Sequence, residues 1–275
     1  METTDRRAFL THLGQMGAAA GMGVLCAQPL GCSSDADAAT TTLLQWPLAY
    51  QPLDVEHVRK LAHESYYGGG CCYGCFDGIV RALAQEIGDP FDDFPTDMMR
   101  YGGGGVAGYG SLCGTLNGAA AAINLVTASP NPLVSELMAW YAATSLPTDI
   151  SNQYAANHEF YVETLKTDAV LPQNASGGNL CHMSVTNWCN TSGFGSGTVE
   201  RAERCARLTG DVAARAVELL NQQYDGTFAA VTPLPSEATN CVTCHHSGGD
   251  VSSGEFTNGK MDCGICHVDP AVSPH

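Results

Sequence analysis

Positive charge is scarce in this chain: Lys and Arg number 12 against 28 Asp and Glu, and the formal net charge is −16. Nucleic acid and anionic membrane surfaces would meet like charge and are excluded as natural partners. A basic redox protein is the better electrostatic match. Long apolar runs are also missing. The weakly apolar stretch from Leu13 to Leu25 is too short and too glycine-rich to span a bilayer. Strand-like alternation is scarce, which leaves a mainly α fold with long loops.

The N-terminus reads as an export signal. Thr4-Asp5-Arg6-Arg7-Ala8-Phe9-Leu10 has the form of a twin-arginine leader, and the apolar stretch follows it. Residues 1–32 are expected to be removed and the protein to be periplasmic. Pro29-Leu30-Gly31-Cys32 loosely resembles a lipoprotein cleavage site, so membrane attachment is expected only if Cys32 is lipidated. Removal takes away Glu2, Asp5, Arg6 and Arg7, two charges of each sign, so the mature charge stays at −16. The twin-arginine route exports folded proteins, whereas haem c is attached after crossing. The route directs attention to cysteines that could hold a cofactor assembled in the cytoplasm.

Cysteine is abundant, with thirteen in the chain. Four lie in Cys241-Val-Thr-Cys244-His245 and Cys263-Gly-Ile-Cys266-His267, two copies of the c-type haem attachment pattern. Two thiols one turn apart reach the porphyrin vinyl groups, and the following histidine is placed under the iron. The pattern predicts two haem c groups with His245 and His267 as proximal ligands. The same four cysteines also fit the spacing of a zinc ribbon, which needs no histidine after either pair. The sixth iron ligands must come from elsewhere. His182, in a cysteine-flanked loop, is the first candidate, His246 the second and His158 the next. His57 and His63 read as structural. The spacer between His245 and His267 is glycine-rich, and as a coil it would separate its ends by ~25 Å, so packing should bring the haems closer.

Setting aside the haem cysteines and the two in the signal region, seven remain: Cys71, Cys72, Cys75, Cys113, Cys181, Cys189 and Cys205. An odd number, with three crowded into five residues, fits a metal cluster better than a disulfide framework. Residues 76–87 read as a helix with Phe76, Ile79, Val80, Leu83 and Ile87 on one face, stopped by Gly88 and Pro90. Gly68-Gly69-Gly70 precedes it, placing Cys71, Cys72 and Cys75 on a loop entering a helix N-terminus, where outward amides favour thiolate. Gly102 to Gly105, Gly108 and Gly110 likewise lead to Cys113 and an Ala-rich helix through about Val126. A helix over about 198–223 carries Cys205, Leu208, Val212, Ala216, Leu219 and Leu220, and 54–66 and 133–143 are also helical. The Asn-, Gly- and Ser-rich stretch 168–197 is expected to be irregular. The expected organisation is a signal at 1–32, a helical cysteine- and glycine-rich domain at 33–235, and a small irregular dihaem segment at 236–275.

Cys72-Tyr73-Gly74-Cys75-Phe76-Asp77-Gly78 and Cys113-Gly114-Thr115-Leu116-Asn117-Gly118-Ala119 resemble the C-x-GC-A-x-x-G/C/C redox pattern, with Phe76 replacing the usual alanine. Followed by paired C-x-x-C-H sites, the pattern resembles the split-Soret cytochrome c family over roughly 54–267. The resemblance implies a mostly helical homodimer with two haems per chain at one end, both bis-histidine, with ligands that a partner subunit can supply. It also implies a [2Fe-2S] or other iron–sulfur cluster. Cys72, Cys75 and Cys113 match its motif, with Cys181 as the fourth candidate ligand and Cys189 or Cys205 as alternatives. Bis-histidine ligation leaves no open site on iron, which favours an electron carrier. The alternatives are a small-molecule reductase, although no acid–base constellation accompanies the haem motifs, and a structural zinc protein.

Overall fold

The computed structural model describes residues 44–253 and 259–265. The expected export signal with Cys32, and Cys266 and His267 of the second C-x-x-C-H motif, lie outside the described residues. The fold is mainly helical: α1 (Val55–Ile87), a 3-10 helix (Thr96–Gly102), α2 (Gly114–Val126), α3 (Pro130–Ala143), α4 (Asp149–Ala156), α5 (Cys181–Ser192), α6 (Val199–Tyr224) and α7 (Ser236–Cys241). Two residue pairs, Ser145–Leu146 and Asn174–Ala175, form a small antiparallel ribbon.

Helix α1 is a hairpin. It starts at Asp54, whose carboxylate accepts the His57 amide at 2.7 Å, and ends at Gly88, whose amide donates to the Ala84 carbonyl. At Gly70 the backbone leaves the helical region (φ 80°, ψ −173°), and 71–87 runs back along 55–69. On a straight helix Ala62 and Gly78 would be ~24 Å apart. Here a Cβ on Gly78 would fall 2.5–2.7 Å from atoms of Ala62. The missing side chain at Gly78 lets the two limbs close, and Ser65 Oγ bonds Asp77 Oδ2 across them at 2.6 Å. Cys71, Cys72 and Cys75 therefore sit in the first turns of the second limb rather than on a loop. Of the three preceding glycines only Gly70 breaks the helix.

Helix α6 packs along both limbs, and α2 closes the bundle. Of the apolar positions read from the sequence, Phe76, Ile79, Val80 and Leu83 on α1 and Leu208, Val212, Ala216, Leu219 and Leu220 on α6 are buried, and Ile87 and Cys205 are half-buried. Helix α6 also buries charge. Asp211 receives Arg59, Thr148 Oγ1 at 2.6 Å and Ser151 Oγ at 2.7 Å, while Glu203 receives His63 at 2.9 Å, Arg207 at 3.2 Å and Tyr67. Arg59, His63 and Tyr67 come from α1, Thr148 and Ser151 from the start of α4, and Arg207 from α6 itself. The Lys166 amide of the following loop donates to Glu203 at 3.3 Å, so α6 acts as the axis to which its neighbours are tied.

The expected irregular stretch 168–197 contains a helix, α5. Its apolar periodicity is weak. It forms around Trp188, which is fully buried and donates its indole Nε1–H to the Pro172 carbonyl at 2.7 Å, and it stops at Gly193 in the left-handed region (φ 79°). Tertiary burial of one large ring outweighs the Asn- and Ser-rich composition.

Candidate metal centres

Four elements carry the seven cysteines between the N-terminal segment and the C-x-x-C-H motifs, and six of them lie within electrostatic reach of at least one other. The second limb of α1 brings Cys71, Cys72 and Cys75. The residue before α2 is Cys113, the first residue of α5 is Cys181, and the second turn of α6 contributes Cys205. Glycines make the approach feasible: a Cβ on Gly102 would collide with Cys72 Sγ, and one on Gly114 with Cys71 Sγ. The loop 102–111 folds over Cys71 with left-handed backbone at Gly104, Gly105, Val106, Ala107, Gly108 and Gly110, and the Gly104 amide donates to the Cys71 thiol. A β-bridge between Leu112 and Leu180 joins the Cys113 and Cys181 segments. In it the Cys113 amide donates to the Asn179 carbonyl at 2.8 Å and the Cys181 amide to the Ser111 carbonyl at 2.7 Å.

Burial dominates the thiol electrostatics. Cys71 is pushed far up by burial and then by its neighbours Cys113, Cys205 and Cys181, with the Gly104 amide opposing. Burial with the nearby Cys113 pushes Cys72 up to about 12, and burial with Cys113 and Cys205 does the same to Cys181. Cys75 is raised well above its ordinary value by complete burial and then by Cys72, Cys71 and Cys113. The helix N-terminus was expected to favour thiolate at Cys71, Cys72 and Cys75. Instead, desolvation outweighs the dipole. Without metal these thiols are protonated, and a metal binds by displacing those protons.

The donor set fits a thiolate-ligated iron centre. All ten described cysteines are free. Among the described residues no three His, Cys, Asp or Glu side chains converge on a position that could hold a metal ion. A buried cation faces the cluster: the Arg204 side chain, from a residue 1 % exposed, is near enough to Cys205 and Cys113 to feel their charge and has Nε without a partner. Cys189 shares the neighbourhood of Arg201 with Cys205. Arg204 escaped the sequence analysis, and Cys71, counted there among the seven, falls outside the candidate ligand set. The family motif begins at Cys72, and an arginine in an amphipathic helix gives no signal of the sulfur it will meet.

The first C-x-x-C-H motif begins at the end of α7. The amides of Cys244 and His245 fold back on the Cys241 carbonyl at 3.2 and 2.8 Å. The second starts in a 3-10 turn, Cys263–Ile265, held by the Gly264 amide on Asp262 Oδ1 at 2.9 Å. The Cys241 and Cys263 side chains are neighbours, and Cys263 is raised by desolvation and then by Cys241. A cavity of about 360 Å³, lined mainly by Val134, Met138, Ala142, Gly178, Leu234 and Met261, lies between α3 and this segment.

The expected axial histidines are dispersed. His182, expected in a loop, is the second residue of α5. Its ring is exposed without a hydrogen-bond partner among the described residues. The exposed His246 accepts the Gly248 amide on Nδ1 at 3.1 Å, and His158 pairs with Asp168 at 3.5 Å. His57 is held by Tyr161 and Gln85, and His63 is buried on Glu203 and stacked on Phe160. Both have structural roles, as the sequence reading has them.

Residues 73–219 match the family model described as a putative redox-active protein, C_GCAxxG_C_C. This stretch ends before the C-x-x-C-H pair. The split-Soret cytochrome c of Desulfovibrio desulfuricans (strain ATCC 27774) is 34% identical over 227 residues, covering 80% of this chain and 77% of the relative. A solved structure, reported as a novel iron centre in the split-Soret cytochrome c from the same organism, superposes with a TM-score of 0.72 at 32% identity. The match covers 82% of this chain and 93% of that one. The chain is therefore a redox metalloprotein and belongs to the split-Soret cytochrome c family.

Proposed function

We propose that the protein is an exported, periplasmic dihaem c-type cytochrome that relays electrons between its haems and an iron–sulfur centre in the cysteine cluster. The carrying observation is the adjacency of Cys241 and Cys263, the first thiols of two C-x-x-C-H sequences. Covalent haem supplies one-electron chemistry at a potential set by its axial ligands. Cys241, Cys244, Cys263 and Cys266 would hold the two groups, with His245 and His267 beneath the irons. The segment 177–182 supports a route between the centres. Gly177, Gly178 and Asn179 line the cavity beside the haem segment, the Asn179 carbonyl accepts the Cys113 amide, and Cys181 follows in the thiol cluster.

The unpartnered, exposed ring of His182 suits a distal ligand, including one donated to a second copy of the chain, and the protein is proposed to be a homodimer. His246 is the alternative ligand. With both irons six-coordinate, the function is electron transfer rather than substrate turnover. The charge of −16 favours a basic redox partner.

The test is an optical spectrum of the full chain matured in a host competent for c-type cytochromes. Two low-spin haems per chain are expected, and a doubled Soret band on reduction would indicate stacked haems. His182→Ala should convert part of the spectrum to high spin. A colourless product containing zinc would overturn the haem assignment.

A further inference from the structure

Three arginines are essentially buried in the helical core: Arg59, Arg204 and Arg207. Two are matched to carboxylates, Arg59 with Asp211 and Glu56 and Arg207 with Glu203. Arg204 has no carboxylate partner among the described ion pairs. Its Nη2 donates to Ser184 Oγ at 3.0 Å, and Ser184 Oγ lies 2.8 Å from the Tyr141 hydroxyl. That hydroxyl is 3.1 Å from Cys113 Sγ. The phenol has one proton to donate. The arrangement is satisfied when Ser184 donates to Tyr141 and Tyr141 donates to the Cys113 sulfur. Thr115 Oγ1 reaches the same sulfur at 3.4 Å. The guanidiniums of Arg204 and of the half-buried Arg201 are also both within electrostatic reach of Cys205. Hydroxyl donors and positive charge thus face sulfur, and no carboxylate intervenes.

An isolated buried cation is costly, and a protein retains one when an anion arrives to meet it. Neutral thiols do not supply that anion, whereas thiolates bound to iron do. We infer that Arg204 is the fixed counter-charge of an anionic iron–thiolate centre bounded by Cys113 and Cys205, making the pocket selective for that centre and raising its reduction potential. The inference rests on the iron centre of the proposed function. Arg204 is a positioning residue in it: its charge acts on the centre directly through Cys205 and, by way of Ser184 and Tyr141, through Cys113.

The consequence is a sign reversal that a structural arginine would not produce. Arg204→Met removes an uncompensated charge from the metal-free protein and the counter-charge from the loaded one. In the full haem-bearing chain, the metal-free form of the variant should melt at or above the wild-type temperature. Loaded anaerobically with ferrous iron and sulfide, it should lose non-haem iron to a chelator at least tenfold more readily. Loss of the buried counter-charge should shift the oxidised-to-reduced equilibrium roughly tenfold, ~59 mV for a one-electron couple, towards lower potential. Arg204→Gln keeps a donor for Ser184 and removes only charge, so it reads the same quantities if the methionine variant does not fold. Arg204→Lys should restore part of both iron retention and potential. Unchanged iron retention and potential in Arg204→Gln, with a lower metal-free melting temperature, would overturn the inference while leaving the iron centre standing. Wild-type protein that takes up no non-haem iron would overturn both.

Discussion

Glu136 ties the chain leading into the C-x-x-C-H segment to the helical core, and its removal should free that stretch without unfolding the rest. The side chain is on α3, in a residue 2 % exposed. Oε2 accepts the amides of Val231 and Thr232, both at 3.1 Å, and Oε1 accepts Thr232 Oγ1 at 2.6 Å and Arg215 Nη2 at 3.2 Å. Burial alone would raise its pKa, but the bonds from Thr232 and Val231 and the charge of Arg215 hold it below the ordinary 4.5. A backbone amide on a charged acceptor contributes ~1.5 kcal/mol at the low end, so losing two costs ~3 kcal/mol of local opening, or ~100-fold in exchange rate. Arg215 keeps Glu218 at 2.9 Å, which limits the cost to the core. In Glu136→Ala, hydrogen exchange at Val231 and Thr232 should quicken ~100-fold while α1 and α6 amides are unaffected. In the haem-loaded protein, any splitting of the Soret band should weaken as the haem pair loosens. The depressed pKa means that the tie is complete above the ordinary glutamate value and is lost as pH falls through the folded value. Wild-type exchange at these two amides should quicken over that acid window. Exchange unchanged in the variant, or equally faster everywhere, would refute the reasoning.

Gly78→Ala should open the α1 hairpin, because the new Cβ meets the backbone of Ala62, which cannot give way. Overpacking of up to ~3 kcal/mol against ~1 kcal/mol of helix propensity leaves ~2 kcal/mol of destabilisation, which calorimetry would read as a fall of several degrees in Tm. Gly103→Ala is the control, since its nearest neighbour would be the Arg100 carbonyl at 3.9 Å. A Gly78→Ala protein as stable as this control would sink the hairpin account. His63 is held below its ordinary 6.5 by burial, against the pull of Glu203. The unfolded chain therefore takes up a proton that the folded one refuses, and stability falls as pH drops below 6.5 at up to ~1.4 kcal/mol per unit. Glu203, itself held below 4.5, adds its loss only at lower pH. Urea midpoints measured from pH 7.5 to 5 should show this slope, and His63→Gln should flatten it.

The helices were legible where one face carried the apolar residues at helical spacing, as at 76–87 and 198–223, and where glycine stopped the run. The hairpin was not. Nothing local to Gly74 and Gly78 says that they are bare because Tyr66 and Ala62 lie against them. Helix α5 was missed because its stabilisation comes from Trp188 buried against residues distant in sequence, a tertiary term that composition does not carry. The cysteine cluster was legible as an inventory and partly as a motif. Cys72, Cys75, Cys113, Cys181 and Cys205 lie within electrostatic reach of one or more of the others, without three converging on one point among the described residues.

The polar half of the site was illegible for a different reason. Sequence patterns record which residues are apolar and how they repeat, but a buried charge is explained only by its partner, and here the partners are far along the chain. Glu136 meets Thr232 and Arg215, Asp211 meets Arg59 and Thr148, and Glu203 meets His63. Each of these pairs joins elements that a helical-period reading treats as independent, and each closes on protein atoms alone. Arg204 lacks a carboxylate and faces the cysteines instead, at the point where the family pattern concentrates its thiols. The unmatched charge marks where a ligand charge completes the core, and the matched pairs around it fix the helices that must hold the thiols in place.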